Sequence, residues 1–156
     1  MFLANLDVSA AELAGFQPLL QALDQAGVEV RFDQPPRAGV YGLYEPQKKR
    51  LWVSPLTKPL GIFQRTLLHE AVHAAQACPT GVPQPMGVRS DLSPVIQRRI
   101  QFLLYSRYGH QVSAIEREAF EIQSRTDAVP LLTRLLAERC SALILQRPDK
   151  LQSLKR

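Results

Sequence analysis

The chain has 156 residues, 46% apolar and 21% charged, an ordinary globular composition that excludes disordered and fibrous classes. Nineteen Lys and Arg against fourteen Asp and Glu give a formal charge of +5. No uninterrupted apolar run approaches membrane-spanning length, and two cysteines are too few for a disulfide scaffold.

The start of the chain carries no positive charge, and Asp7 and Glu12 interrupt its short apolar stretch. It does not read as a secretory signal, so a cytoplasmic protein is expected. Ser9-Ala10-Ala11-Glu12 is a capping-box pattern, after which Leu13, Phe16, Leu20 and Leu23 recur at helical spacing. Pro18 inside that run predicts a kink or a restart, and Gly27 predicts a stop. Val28 to Phe32 alternates apolar and polar, as a half-buried strand does. Gly39 to Tyr44 and Arg50 to Ser54 are rich in β-branched and aromatic residues and flank the polar Glu45 to Lys49, which predicts a hairpin. A strand of that hairpin lying beside the next helix would present an edge for an extended peptide.

Ile62 to Cys78 has no Gly or Pro and is rich in Leu, Ala and Gln, so it predicts a helix. It contains Leu68-His69-Glu70-Ala71-Val72-His73, an H-E-x-x-H pattern that uses two of the chain's three histidines. On a helix, His69 and His73 project from one face, one turn apart, and two imidazoles placed so can bind one zinc ion. Glu70 then reaches a zinc-bound water rather than the metal and takes its proton as the water attacks a carbonyl. Leu67, Leu68, Ala71, Val72, Ala74 and Ala75 make a helix buried on most sides. The plain alternative is a core helix whose two histidines only form hydrogen bonds.

Pro79 to Ser90 reads as a loop. Ser93-Pro94 starts a helix with an apolar face of Ile96, Ile100, Leu103 and Leu104, ended by Gly109. Ser113 to Arg125 predicts a further helix. Pro130 opens a last one, with Leu131, Leu135, Leu136, Cys140, Leu143 and Ile144 along one side. One domain is expected over 1–146, followed by a basic, frayed tail over 147–156. The tail holds Arg147, Lys150, Lys155 and Arg156 against Asp149, four charges less one, or +3 of the total, and Lys48-Lys49-Arg50 is a second basic cluster. Such segments are ordinarily solvated surface and are slight grounds for a nucleic-acid partner. Cys78 and Cys140 read as a buried pair of thiols, with a single disulfide as the alternative.

A catalytic zinc needs a third protein ligand and an open position. The remaining candidates are His110 and the acidic run Glu116-Arg117-Glu118-Ala119-Phe120-Glu121. Glu116 also completes a capping-box pattern with Ser113. Glu118 points roughly 200° away from Glu116 around a helix, so the two cannot face one ion together.

A zinc helix followed by a separate helix bearing Glu-x-x-Ala resembles the gluzincin branch of zinc metallopeptidases. Small cytosolic minigluzincins, the peptidase domains of phage-repressor regulators and the membrane-bound CAAX-prenyl endopeptidases share that layout. The resemblance spans roughly residues 39 to 127 and rests on about five specific residues. It implies that Glu116 is the third ligand. Many such families carry Asp or Asn directly after the small residue, where it orients a ligand histidine; this chain has Phe120. Gln76, Gln123, Asp127 or a main-chain carbonyl must then do that. Tyr105, Tyr108 and His110 are the candidates for stabilising an oxyanion.

The expected architecture is α+β and zincin-like, a small sheet with a hairpin packed on the motif helix, and three further helices forming the other wall of a cleft. The expected function is hydrolysis of peptide bonds in a peptide or protein by a zinc-dependent metallopeptidase. The alternative is a catalytically weak or inactive zinc-binding interaction module, and a third reading is a regulator peptidase acting on a DNA-bound partner.

Overall fold

The computed structural model describes residues 8–108 and 113–141. It is α+β, with a small mixed sheet of three strands and helices packed against one face of it. Ser9 caps α1 (Ala10–Leu13) through the reciprocal bonds with Glu12 that the sequence predicts. The chain passes through a 3₁₀ turn into α2 (Gln17–Gln25), with Pro18 in the first turn of the restart. Gly27, at φ 77°, takes the left-handed conformation that ends the helix.

The strands are β1 (Glu29–Arg31), β2 (Gly42–Glu45) and β3 (Arg50–Val53), in the order β1-β3-β2. β2 and β3 form the expected antiparallel hairpin, with Gly42 opposite Val53 and Tyr44 opposite Leu51. β1 joins β3 in parallel, Val30 opposite Leu51. Leu51 and Val53 are buried on the helix side. On the other side Trp52 lies under the guanidinium groups of Arg31 and Arg50 and donates its indole N–H to Glu45.

Ser54 N–H donates to the Tyr41 carbonyl, so the hydrogen-bonded pairs fall at Tyr41/Ser54, Leu43/Trp52 and Glu45/Arg50. Gly42 and Tyr44 therefore turn their backbone polar groups away from β3, toward the open side of β2.

The motif helix α3 (Phe63–Gln76) runs through the centre of the molecule. It packs on β2 and β3 on one side and on α5 (Ala114–Gln123) and α6 (Ala128–Cys140) on the others. Leu67, Ala71, Val72, Ala74 and Ala75 have no exposed surface. A deletion such as Leu67→Ala would cost about 2–5 kcal/mol. The last carbonyls of α3 are met by Arg139 on α6, whose guanidinium donates to Ala75 O and Cys78 O. Next to it, Cys78 and Cys140 form a disulfide. The free-thiol reading is thus corrected: the fold brings the end of α3 and the end of α6 into contact.

Three further expectations are corrected. Ile100 and Leu104 of α4 (Pro94–Tyr108) are buried, but Ile96 and Leu103 are exposed, because α4 packs mainly on α5. The far cleft wall is not made by three helices: α6 packs behind α3, against α2, and α5 alone of the three lines the cleft. Leu132 joins the buried side of α6, while Leu135 is only partly buried. Gly109, Leu143, Ile144 and the basic tail lie outside the described residues. Among the described residues no helix is long and apolar enough to cross a membrane.

Candidate metal centre

His69 and His73 stand one turn apart on α3 and face α5. Their Nε2 atoms are 3.2 Å apart, and Glu116 of α5 meets both. Its Oε2 is 3.2 Å from His69 Nε2 and its Oε1 is 3.4 Å from His73 Nε2. The ligand atoms of these three side chains all lie within 4.8 Å of one another, close enough to hold one metal ion. Glu118, the fallback ligand, is not part of this group, and His110 lies outside the described residues.

Ser113 caps α5 by accepting from Glu116 N–H, but the Glu116 carboxylate does not complete a capping box. It turns instead to the two imidazoles. Ala119, fully buried, lets α5 come close to α3 at this level.

The fit to a cation can be tested on the atoms themselves. Glu116 Oε2 is buried and has no hydrogen-bond partner, so its approach to His69 is a close contact and not a bond. Each imidazole's other nitrogen is already engaged: His69 Nδ1 lies 2.7 Å from Gln123 Oε1, and His73 Nδ1 lies 2.8 Å from Gln76 Oε1. Facing an amide oxygen, Nδ1 carries the proton, so both Nε2 lone pairs point at the carboxylate. Three electron-rich groups facing each other across a buried gap is an arrangement that a cation resolves.

Charge placement follows. The imidazoles of His69 and His73 hold the Glu116 carboxyl well below the usual carboxylate range. Burial works to lower the pKa of His73, but the Glu116 carboxylate facing its ring and the charge of Glu70 outweigh it, and the net shift is upward. Glu70 is 7% exposed. Burial pushes its pKa up, against the opposing pull of His69, His73 and the nearby Tyr44 backbone N–H.

The second layer around the histidines is where the sequence left alternatives. Gln76 is fully buried and orients His73, so it is no surface residue. Gln123 orients His69, one turn beyond Phe120, whose ring packs edge-on against His69 at 4.7 Å between centroids. Asp127 is paired with Arg125 and plays no part. Glu118 accepts from Gln76, Met86 N–H and Val88 N–H, which ties the loop after α3 to α5. Arg125 pins the same loop through Asp91 and the Arg89 carbonyl.

The centre opens into a cleft of about 410 Å³. The edge of β2 forms one wall and Ile115, Glu116 and Pro83 the other. Tyr105 is exposed and does not line it, and the Tyr108 side chain lies outside the described residues. Arg37 stands at the cleft as its one charged lining residue beyond the motif and Glu116, among the described residues. The basic turn is engaged locally: Lys48 with Glu45, Lys49 with the Ala26 carbonyl, Arg50 with Glu29.

Sequence reasoning missed Gly42. A Cβ there would meet Glu70 and Thr66. A glycine inside a strand pattern is a known sign of close backbone approach, so the signal was present. Compared with known proteins, the chain matches no family model, no curated protein and no solved structure.

Proposed function

We propose that this chain is a small zinc-dependent metallopeptidase with a zincin-like, gluzincin-type domain. One observation carries the reading: His69, His73 and Glu116, from two helices distant in sequence, converge on one point, with Glu70 beside it at the edge of an open strand. Two imidazoles and a carboxylate suit zinc and leave a position free for water. When bound there, zinc would supply Lewis acidity to a water and to a carbonyl.

The chain's own residues do the rest. Glu70 accepts the proton of the attacking water and passes it to the leaving amine. Its place in the cleft beside His69 and His73 suits a group that must both take and return a proton. Gln76 and Gln123 hold the imidazoles in the tautomer that offers Nε2. The outward backbone groups of Gly42 and the outward carbonyl of Tyr44, whose N–H is turned to Glu70, run along the cleft and suit an extended peptide added as a further strand.

Metal analysis of the purified protein beside His69→Ala and Glu116→Ala tests the site: one zinc per chain in the wild type, and loss in both variants. Glu70→Gln should keep zinc and lose hydrolysis across a peptide library. Full zinc loading with no cleavage by the wild type would instead favour a zinc-binding interaction module.

A further inference from the structure

The amide of Gln76 has one orientation that its neighbours accept. Its nitrogen lies 3.0 Å from the Ile115 carbonyl oxygen and 2.9 Å from Glu118 Oε2. Both are acceptors, so the NH₂ must face them, and both of its hydrogens are used. That turns Oε1 to His73 Nδ1 at 2.8 Å, and Nδ1 must then donate. The remaining ring nitrogen, Nε2, is left as the lone pair facing Glu116. Glu118 is itself fixed, since the backbone N–H groups of Met86 and Val88 donate to its oxygens at 2.8–3.1 Å. Gln76 and Glu118 are both buried, so reversing any member leaves a polar atom without a partner.

We infer that Glu118 is a positioning residue: acting through Gln76, it sets the tautomer of His73, and it makes that setting depend on the docked loop that carries Met86 and Val88. The loop also contributes Pro83 to the cleft, so the wall that meets substrate and the ring that meets the metal share one carboxylate. The inference rests on the proposed metal centre.

The first measurement needs no variant. Imidazole ¹⁵N shifts of the metal-free protein, at a pH where His73 is neutral, should show the proton on Nδ1; a proton on Nε2 would overturn the inference. The second measurement is zinc affinity by competition with a chelator. E118Q leaves one acceptor where Glu118 has two: either an NH₂ meets Gln76, which flips and presents its own NH₂ to His73, or it meets the Val88 N–H and the loop undocks from Gln76's partner. Affinity should fall about tenfold or more, and the His73 ¹⁵N shifts should move toward the other tautomer. Q76E alone sets two carboxylates against each other and should also weaken binding. Adding E118Q to Q76E should raise affinity above that of Q76E, because an amide then donates to the new carboxylate. Recovery stays partial, since the Ile115 carbonyl remains without a donor. If Glu118 only anchored the loop, E118Q would deepen the loss in both backgrounds. Unchanged affinity in E118Q, or simple addition of losses, sinks the inference and leaves the metal centre standing; a wild type that binds no zinc sinks both.

Discussion

A Cβ added to Gly42 would lie 2.6 Å from Oε1 of Glu70 and 2.7 Å from Cγ2 of Thr66, so the edge strand and the motif helix touch where only hydrogen fits. In Gly42→Ala, either β2 retreats or the Glu70 carboxylate is pushed off its place beside the strand. The ligands are elsewhere, so zinc content should be unchanged. Misplacing a reacting group by about 1 Å can cost roughly 10²-fold, and kcat/KM on a cleaved peptide should fall by that order. Unchanged turnover would mean that the approach of β2 does not position Glu70.

His69 depends on Gln123 as His73 depends on Gln76. Gln123→Leu keeps the bulk beside Phe120 but removes the acceptor from Nδ1, so the ring can rotate or take the other tautomer. Zinc affinity should drop about 10–100-fold with the fold intact, read by chelator competition beside a thermal melt. An unaltered affinity would show that the packing of Phe120 alone holds the ring.

What was legible in the sequence was local. The H-E-x-x-H spacing, the absence of Gly and Pro from Ile62 to Cys78 and the capping box at Ser9 all act within a turn or two of helix. The hairpin was legible because two strands flank one short polar turn. The placement of Glu116 came through a likeness to a family layout, and the structure brings that residue to the histidines. What escaped was set by pairing across 30 to 64 residues: Gln76 on Ile115, Glu118 on the loop, Cys78 on Cys140, Arg139 on Ala75. No periodicity records which helix faces which. The same reason explains α4, where the spacing of Ile96 and Leu103 marks an apolar stripe but, among the described residues, no helix covers them.

The titrating groups make opposite demands with and without metal. In the metal-free protein the His73 pKa is raised, so its contribution to stability is full below its unfolded value of about 6.5 and is lost as pH rises through the folded value. Glu70, raised by burial, adds a cost in the same direction as it ionises. The Glu116 pKa is lowered, so its contribution is present above about pH 4.3 and is lost only as pH falls toward the folded value. As pH rises above about 6.5 the metal-free protein should therefore lose stability. Zinc needs unprotonated imidazole, so its affinity rises over the same range. The Tm difference between zinc-loaded and chelated protein should widen steadily from about pH 6 upward. A constant gap would mean that zinc displaces no proton from this site.

The Cys78–Cys140 bridge closes a loop with a sequence separation of 62 and ties the end of the motif helix to the end of α6. In the chain-entropy picture such a loop contributes about 4 kcal/mol, mostly by restricting the unfolded chain. Reduction, or Cys78→Ser with Cys140→Ser, should lower Tm by roughly 10 °C in a chain of this size. The metal should stay, because Arg139 still holds the Ala75 and Cys78 carbonyls and His73 is anchored through Gln76 to α5. A fall in zinc affinity as large as that of Gln123→Leu would show that the bridge, and not α5, sets the ligand geometry. Alkylation of the native protein should find no free thiol. Two free thiols would return the pair to the state expected of a cytoplasmic chain, whereas an intact bridge is the chemistry of an oxidising compartment.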